Sequence, residues 1–368
     1  MRLLMVGDLV LDEPDADSFF DATRELLRAG DVTVGHVETP HTDRGQELVG
    51  DVPAPASDPK NLLALGPAGF DIATLAGNHI FDRGAEGIED TIAGLARQGI
   101  AACGAGPDLA TARAPAIVER GGRRVAVLSY NCVGPKEAWA GPRKAGCAYL
   151  RILTHYELEM ASPGGPPSIF TFADPASIEA MEADIEEARG RADTVVVAFH
   201  KGIVHTPATL AMYERPIAKA AIDAGADIVI SHHAHILRGI EIYKGRPIFH
   251  GLGNFVTVTR ALSVDQDHPA RRAWAIKRKQ VFGFEPDPAY PAYPFHPESK
   301  NALIAECRID ERGVRAGFRP CWITPEGQPT LLARGEKGEA VKAYVEDITR
   351  RAGLNATFAW DGDLVTAS

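Results

Sequence analysis

Residues 193–235 read DTVVVAFHKGIVHTPATLAMYERPIAKAAIDAGADIVISHHAH, and this stretch decides the fold class. Val195–Phe199 and Ile228–Ser231 are short continuous apolar runs rich in Val and Ile, the pattern of strands buried on both faces. Between them Pro207–Ala224 carries apolar residues at helical spacing and stops before Gly225, a common helix terminator. A strand, a crossover helix and a second strand make one unit of a parallel α/β sheet. Both strands give way at their carboxyl ends to imidazoles: His200 after the first, His233 and His235 after the second.

The same alternation extends upstream. Leu3–Val6, Val32–Val37, Ile72–Leu75 and Val125–Tyr130 read as strands, and Asp17–Ala29, Asp58–Leu65, Ala85–Gln98 and Pro175–Arg189 as helices. Downstream the strands are joined by tight turns. Ile236–Tyr243 pairs with Pro247–His250 through Lys244-Gly245-Arg246, and Ala302–Ile309 with Val314–Ile323 through Asp310-Glu311-Arg312-Gly313. The chain is thus α/β with a mixed sheet or two packed sheets, closed by a helix over Lys337–Ala352. Met160–Ala173, rich in Pro and Gly, reads as a surface loop. Residues 260–300 open with Arg271, Arg272, Lys277, Arg278 and Lys279 and continue in Pro and aromatics, which reads as an ordered lid. Residues 1–368 form one domain, with 260–300 inserted and 303–368 completing it.

The net charge of −10 argues against nucleic acid as a partner, since phosphate neutralisation requires a basic surface. It does not oppose a small anionic substrate, because a cleft can reverse the local field. No run of about 18 apolar residues is present, so no membrane partner is expected. The N-terminal MRLLMVGDLV lacks the features of a signal peptide, and a cytoplasmic location is the expectation. The five cysteines are scattered and never form CxxC, which predicts buried thiols.

Chemistry gathers at the strand ends. Asp8 follows the first strand, Glu38 the second, Asn78 and His79 the third, then His200, His233 and His235. In α/β sheets ligands bind at the carboxyl ends of strands, so five separate runs deliver carboxylate, amide and imidazole to one edge. A lone Asp after Gly is usually a turn residue, and a lone His usually structural. Five coincidences at matching ends point to one shared site. His233-Ala234-His235 on an extended segment would put both rings on one side. Oxygen and nitrogen donors without thiolate suit Zn, Mn, Fe or Ni rather than Ca or Mg. The donors exceed the needs of one tetrahedral ion, so one or two ions sharing a carboxylate are expected.

The order Gly7-Asp8, Glu38, Gly77-Asn78-His79, His200 and His233-x-His235 resembles the calcineurin-like metallophosphoesterase superfamily. More closely, it is similar to the CapA-like family named for poly-γ-glutamate capsule synthesis. That likeness rests on Asn78-His79-Ile80-Phe81-Asp82-Arg83-Gly84, Ser231-His232-His233-Ala234-His235 and Gly251-Leu252-Gly253-Asn254-Phe255, and spans residues 2–258. It implies a four-layer αββα sandwich with the metal site at one sheet edge. It further implies that Asp8 and His235 bind a first metal, that Asn78, His200 and His233 bind a second, and that Glu38 bridges. His79, oriented by Asp82, would be an acid or base and not a ligand. Val10 stands where the superfamily has a His, and His36 where the CapA-like family has an Asn. His200-Lys201-Gly202-Ile203-Val204-His205 replaces that family's His-Trp-Gly followed by Glu. The expected substrate-facing residues are Lys201, His205 and Asn254, with Arg271 and Arg272 from the lid. These departures leave the capsule role itself out of the carry-over.

Metal-dependent hydrolysis of an amide or ester carbonyl in a peptide-like or other anionic substrate fits this set first, with His79 protonating the leaving group. The same acid–base pair would serve an epimerase abstracting an α-proton. Phosphoester hydrolysis and a non-catalytic accessory role in polymer biosynthesis are the remaining readings.

Overall fold

A computed structural model describes residues 1–48, 52, 54–157, 168–263 and 267–368. The apolar runs of the sequence sort into two sheets. The larger is ordered Phe358–Asp361, Leu364–Ala367, Gly313–Ile323, Asn301–Asp310, Arg2–Leu11, Val32–Val37, Ile72–Thr74, Ala101–Cys103. The smaller is ordered Ile240–Tyr243, Arg246–Phe249, Ile228–His232, Thr194–His200, Arg123–Asn131, Ala116–Arg120. In both, the central strands are parallel: Arg2–Leu11 with Val32–Val37, and Thr194–His200 with its two neighbours. Their carboxyl ends therefore lie on one side.

The sheets pack face to face through Leu3, Met5, Val34, Val127, Val196 and Ile230, among others. The outer face of the larger sheet packs on helix Gly84–Ala96 and the short helical turns through Ile88, Leu95 and Leu62. Helices Pro175–Arg189 and Glu214–Asp223 cover the smaller sheet through Met181, Ile185, Ile217 and Ala221. The result is a four-layer αββα sandwich whose two inner strand sets are buried on both faces. That burial is why their sequences run continuously apolar instead of alternating. All five cysteines are free thiols and four are buried. Among the described residues no helix is long and apolar enough to cross a membrane.

Several expectations need correction. Ser168–Ala173 is a strand paired antiparallel with Ile152–Glu157, not a loop; residues 160–167 of that stretch lie outside the described residues. Only Glu214–Asp223 of the expected helix Pro207–Ala224 is helical, because the preceding segment is held as a loop by side-chain bonds described below. The helix over Glu336–Arg351 does not close the chain: Phe358–Asp361 and Leu364–Ala367 follow it and add two strands to the large sheet. Within residues 260–300, Pro269–Phe282 is a helix, with Pro at its first turn and Gly283 in the left-handed conformation at its end. The aromatic run after it is packed inward: Phe284, Tyr290, Tyr293 and Phe295 are all buried.

Candidate metal centre

Asp8 sits within the strand Arg2–Leu11, not after it, at an irregularity in pairing. Register shifts occur between Met5 and Asp8 against one neighbour, and between Asp8 and Val10 against Asn254–Val258. Gly7 permits this close approach, since a Cβ there would stand 2.1 Å from the Gly253 carbonyl oxygen. The Asp8 N–H donates to that same oxygen at 2.9 Å. Its Oδ2 accepts from the His233 N–H at 3.3 Å, while Oδ1 is buried with no partner among the described residues.

His235 lies between two carboxylates, with Nδ1 3.3 Å from Asp8 Oδ2 and Nε2 3.3 Å from Glu38 Oε1. Burial alone would lower the pKa of this imidazole, but Glu38 and Asp8 overcome that effect and raise it. Burial likewise works to raise Glu38, yet His235 holds it below the usual carboxylate range. Asp8 is raised, first by burial and then by repulsion from Glu38. His235 thus meets the demand of the buried Glu38 carboxylate for a positive neighbour. A divalent cation among the same donors would satisfy that demand and release the proton.

His36, His200 and His232 form a row of buried imidazoles beside this group. The His36 ring is 4.5 Å from that of His232 and 4.7 Å from that of His200, which in turn is 4.8 Å from that of His233. Burial and then the neighbouring rings hold His36 and His200 well below the ordinary histidine pKa, so these rings are neutral donors of lone pairs. His200 Nε2 is 2.7 Å from Asn78 Oδ1. Two groups of donor atoms lie close enough to share a cation, with all atoms of each within 4.8 Å of one another: Asp8, Glu38 and His235, and Asp8, His36 and His200. Buried oxygen and nitrogen atoms without partners, and no thiolate among them, fit a transition-metal ion.

The backbone is strained where these imidazoles sit. His205, His233 and His235, at φ of 57°, 85° and 52°, are three of the five non-glycine residues with positive φ among those described. Such conformations are maintained only where surrounding structure enforces them, and they concentrate at functional sites. They also correct an expectation: His233 and His235 do not lie on an extended run, because the strand ends at His232. Left-handed turns, not strand alternation, bring their rings to 6.3 Å.

A cavity of about 320 Å³ opens over the centre, with Glu38, Asn78, His79, His233 and His235 at its floor. The walls are largely apolar, including Val10, Val204, Trp274, Phe282 and Phe295. His79 lines it, and its Nδ1 is 2.7 Å from Asp82 Oδ2. His205 lines it too, edge-on to Phe282 and Phe284 at 4.9 Å each.

The other expected substrate contacts fall elsewhere. Lys201 has a fully buried side chain, its Nζ 2.9 Å from Glu214 Oε2, and is not in the cavity wall. Asn254 is buried beneath the centre, where its Oδ1 meets His235 Nδ1 at 2.9 Å and its Nδ2 donates to the Tyr293 hydroxyl at 3.0 Å. It positions His235 and is not itself in the cavity wall. Arg271 pairs with Glu47 at 2.6 Å, and Arg272 is exposed on the same first helical turn. Among the described residues, the basic residue in the cavity wall is Arg278, which donates to the Pro294 carbonyl and whose Nη1 is buried without a partner. Burial lowers its pKa to about 10. Trp274, Arg278 and Phe282, four residues apart, share the inward face of the helix, a spacing legible in the sequence.

Residues 2–259 match the model of the bacterial capsule synthesis protein family, PGA_cap. The chain is 29% identical over 343 residues to the PGA biosynthesis protein CapA of Bacillus subtilis, covering 89% of this chain and 80% of that one. It is 33% identical over 204 residues to a "Probable polyglutamine synthesis accessory protein" of Mycobacterium tuberculosis, covering 54% of this chain and about half, 48%, of that protein. Among solved structures, the calcineurin-like phosphoesterase YfkN of Bacillus subtilis is similar at 12% identity and a TM-score of 0.39, covering 96% of this chain and 97% of that one.

Proposed function

The chain belongs to the bacterial capsule synthesis protein family, and on that premise we propose that it is a metal-dependent hydrolase of an amide or ester carbonyl in a peptide-like, anionic substrate. The observation that carries this reading is the cavity itself, which has a carboxylate–imidazole floor, apolar walls and one buried guanidinium. A divalent ion held by Asp8, Glu38 and His235, with His200, His233 and Asn78 beside them, would supply Lewis acidity toward a carbonyl oxygen and toward water. Arg278 would hold an anionic group with the N–H that has no partner, and the aromatic walls would bury an apolar body and exclude water. With Nδ1 2.7 Å from Asp82 Oδ2, His79 would keep Nε2 for proton transfer, taking a proton there and returning it to the leaving group.

The His79–Asp82 pair would also serve α-proton abstraction, which makes epimerisation the second reading. The test is to load the protein with Mn²⁺ or Zn²⁺ and offer acidic peptides, including γ-glutamyl ones, against generic phosphoesters in D₂O. Peptide cleavage with the α-hydrogen retained is expected. Deuterium entering the α-carbon without cleavage selects the epimerase, and turnover of phosphoesters alone rejects carbonyl chemistry.

A further inference from the structure

We propose that His36 is a metal ligand, forming with Asp8 and His200 a second cation position that shares Asp8 with the Asp8–Glu38–His235 group. This rests on the reading of the centre as a divalent-metal site and adds a ligand outside the set implied by the family likeness.

The tautomer of His36 is fixed from behind. Its Nδ1 is 3.0 Å from Thr74 Oγ1, and the Thr74 hydroxyl donates its own proton to the Gly35 carbonyl at 3.4 Å. Thr74 therefore accepts, Nδ1 carries the hydrogen, and the lone pair lies on Nε2. That nitrogen is buried and has no partner among the described residues. A ligating imidazole is held in the same way, with its far N–H bonded to a neighbouring acceptor. His200 repeats the arrangement in mirror sense: its Nε2 donates to Asn78 Oδ1, leaving Nδ1 buried and unpartnered.

The two nitrogens face one space. A Cβ at Gly77 would stand 3.4 Å from His36 Nε2 and 3.5 Å from His200 Nδ1, so both nitrogens border the same position. Asp8, whose Oδ1 also lacks a partner, brings a carboxylate oxygen within the same 4.8 Å. Asp8 Oδ1, His36 Nε2 and His200 Nδ1 are each without a hydrogen-bond partner among the described residues, and one cation would take a lone pair from all three. Two imidazole nitrogens and one carboxylate oxygen form a donor set suited to Zn²⁺, Mn²⁺ or Fe²⁺. The strand carrying Asp8 offers only Val10 at the cavity wall, and the neighbouring strand supplies the imidazole instead.

The test compares wild type with His36→Asn, each stripped with chelator and dialysed against Zn²⁺, with bound metal counted by mass spectrometry. The variant is expected to lose affinity at one position by at least the ~10–100-fold that outer partners of ligands are worth. In crystals of zinc-loaded wild type, anomalous scattering should place an ion about 2.0–2.1 Å from His36 Nε2. The crystal result decides the matter even if the variant fails to fold. Wild type that binds zinc away from His36, with His36→Asn binding equally, overturns the proposal and leaves the metal centre standing. Wild type that binds no ion removes both.

Discussion

His200 and Lys201 are adjacent in sequence and both buried, yet they belong to two opposite kinds of polar interior. Lys201 enters a network of paired charges. Glu214 takes its ammonium at 2.9 Å on one oxygen, and on the other it takes the Ala211 N–H at 2.7 Å and Arg238 at 3.4 Å. Arg238 also donates to the carbonyls of Thr206 and Thr209, each at 2.7 Å, which fixes the loop carrying His205. His200 enters an open network, in which Asp8 Oδ1, His36 Nε2 and His200 Nδ1 are buried without partners. Leaving a buried polar atom unpaired costs about 1–3 kcal/mol, so a cluster of them persists in a native protein only if something else fills it. Paired buried charge holds the loop in place, and the cluster of unpaired buried acceptors marks where chemistry is supplied from outside.

The largest effect that separates the two regions is catalytic. His79→Ala should lower kcat by about 10²–10⁴ while retaining its metal, since the role proposed for the ring is proton transfer and not ligation. Asp82→Asn should cost less, because that carboxylate only orients the ring. Loss of metal in His79→Ala would move His79 into the ligand set and redraw the boundary of the centre.

Next in size is the network of paired charges. Glu214→Gln strands two buried cations, and breaking such a pair destabilises by roughly 3–5 kcal/mol. Denaturant unfolding should show that loss, while metal per folded chain stays unchanged. A variant as stable as wild type would mean that Lys201 and Arg238 do not depend on Glu214.

Smaller still is the effect of the cavity cation. Arg278→Gln should raise KM by about 10–100-fold, the worth of a hydrogen bond to a charged group, roughly 1.5–3 kcal/mol. Arg271→Glu and Arg272→Glu should leave KM nearly unaltered. The reverse pattern would restore the first helical turn as the substrate contact.

The smallest effect is on pH dependence. Glu241 is buried, which works to raise its pKa, but His250, Arg215 and Lys219 outweigh this and hold it well below the usual carboxylate value. A depressed carboxylate contributes stability that is present above its ordinary pKa and lost as pH falls through the folded value. Glu241→Gln should therefore flatten the acid side of a Tm profile and lower Tm at neutral pH. An unchanged acid side would place the source of acid lability elsewhere.

The strands and the polar residues at their ends were legible because continuous apolar runs have few alternatives, and because the parallel order puts their carboxyl ends together. Lys201 was misplaced by adjacency. Successive strand residues point to opposite faces, so the neighbour of a residue facing the centre points away from it. His36 stood in plain view, but only the register of two neighbouring strands brings it to Asp8. The approach of His233 to His235 depends on left-handed backbone that sequence spacing does not encode. Arg278 was passed over because Arg271 and Arg272 attract attention as a pair, although its four-residue spacing from Trp274 and Phe282 was there to read. The terminal strands were missed because Phe358–Asp361 is short and only partly buried, with little apolar signal.

The central claim is that the open network is a divalent-metal centre, and calorimetric titration of chelator-stripped protein with Mn²⁺ or Zn²⁺ tests it most directly. One or two ions should bind saturably per chain, with stability rising by about 2.7 kcal/mol at a hundredfold excess over Kd and the tight phase lost in His235→Ala. A folded wild-type protein that takes up neither ion, with no change in Tm, would contradict the account.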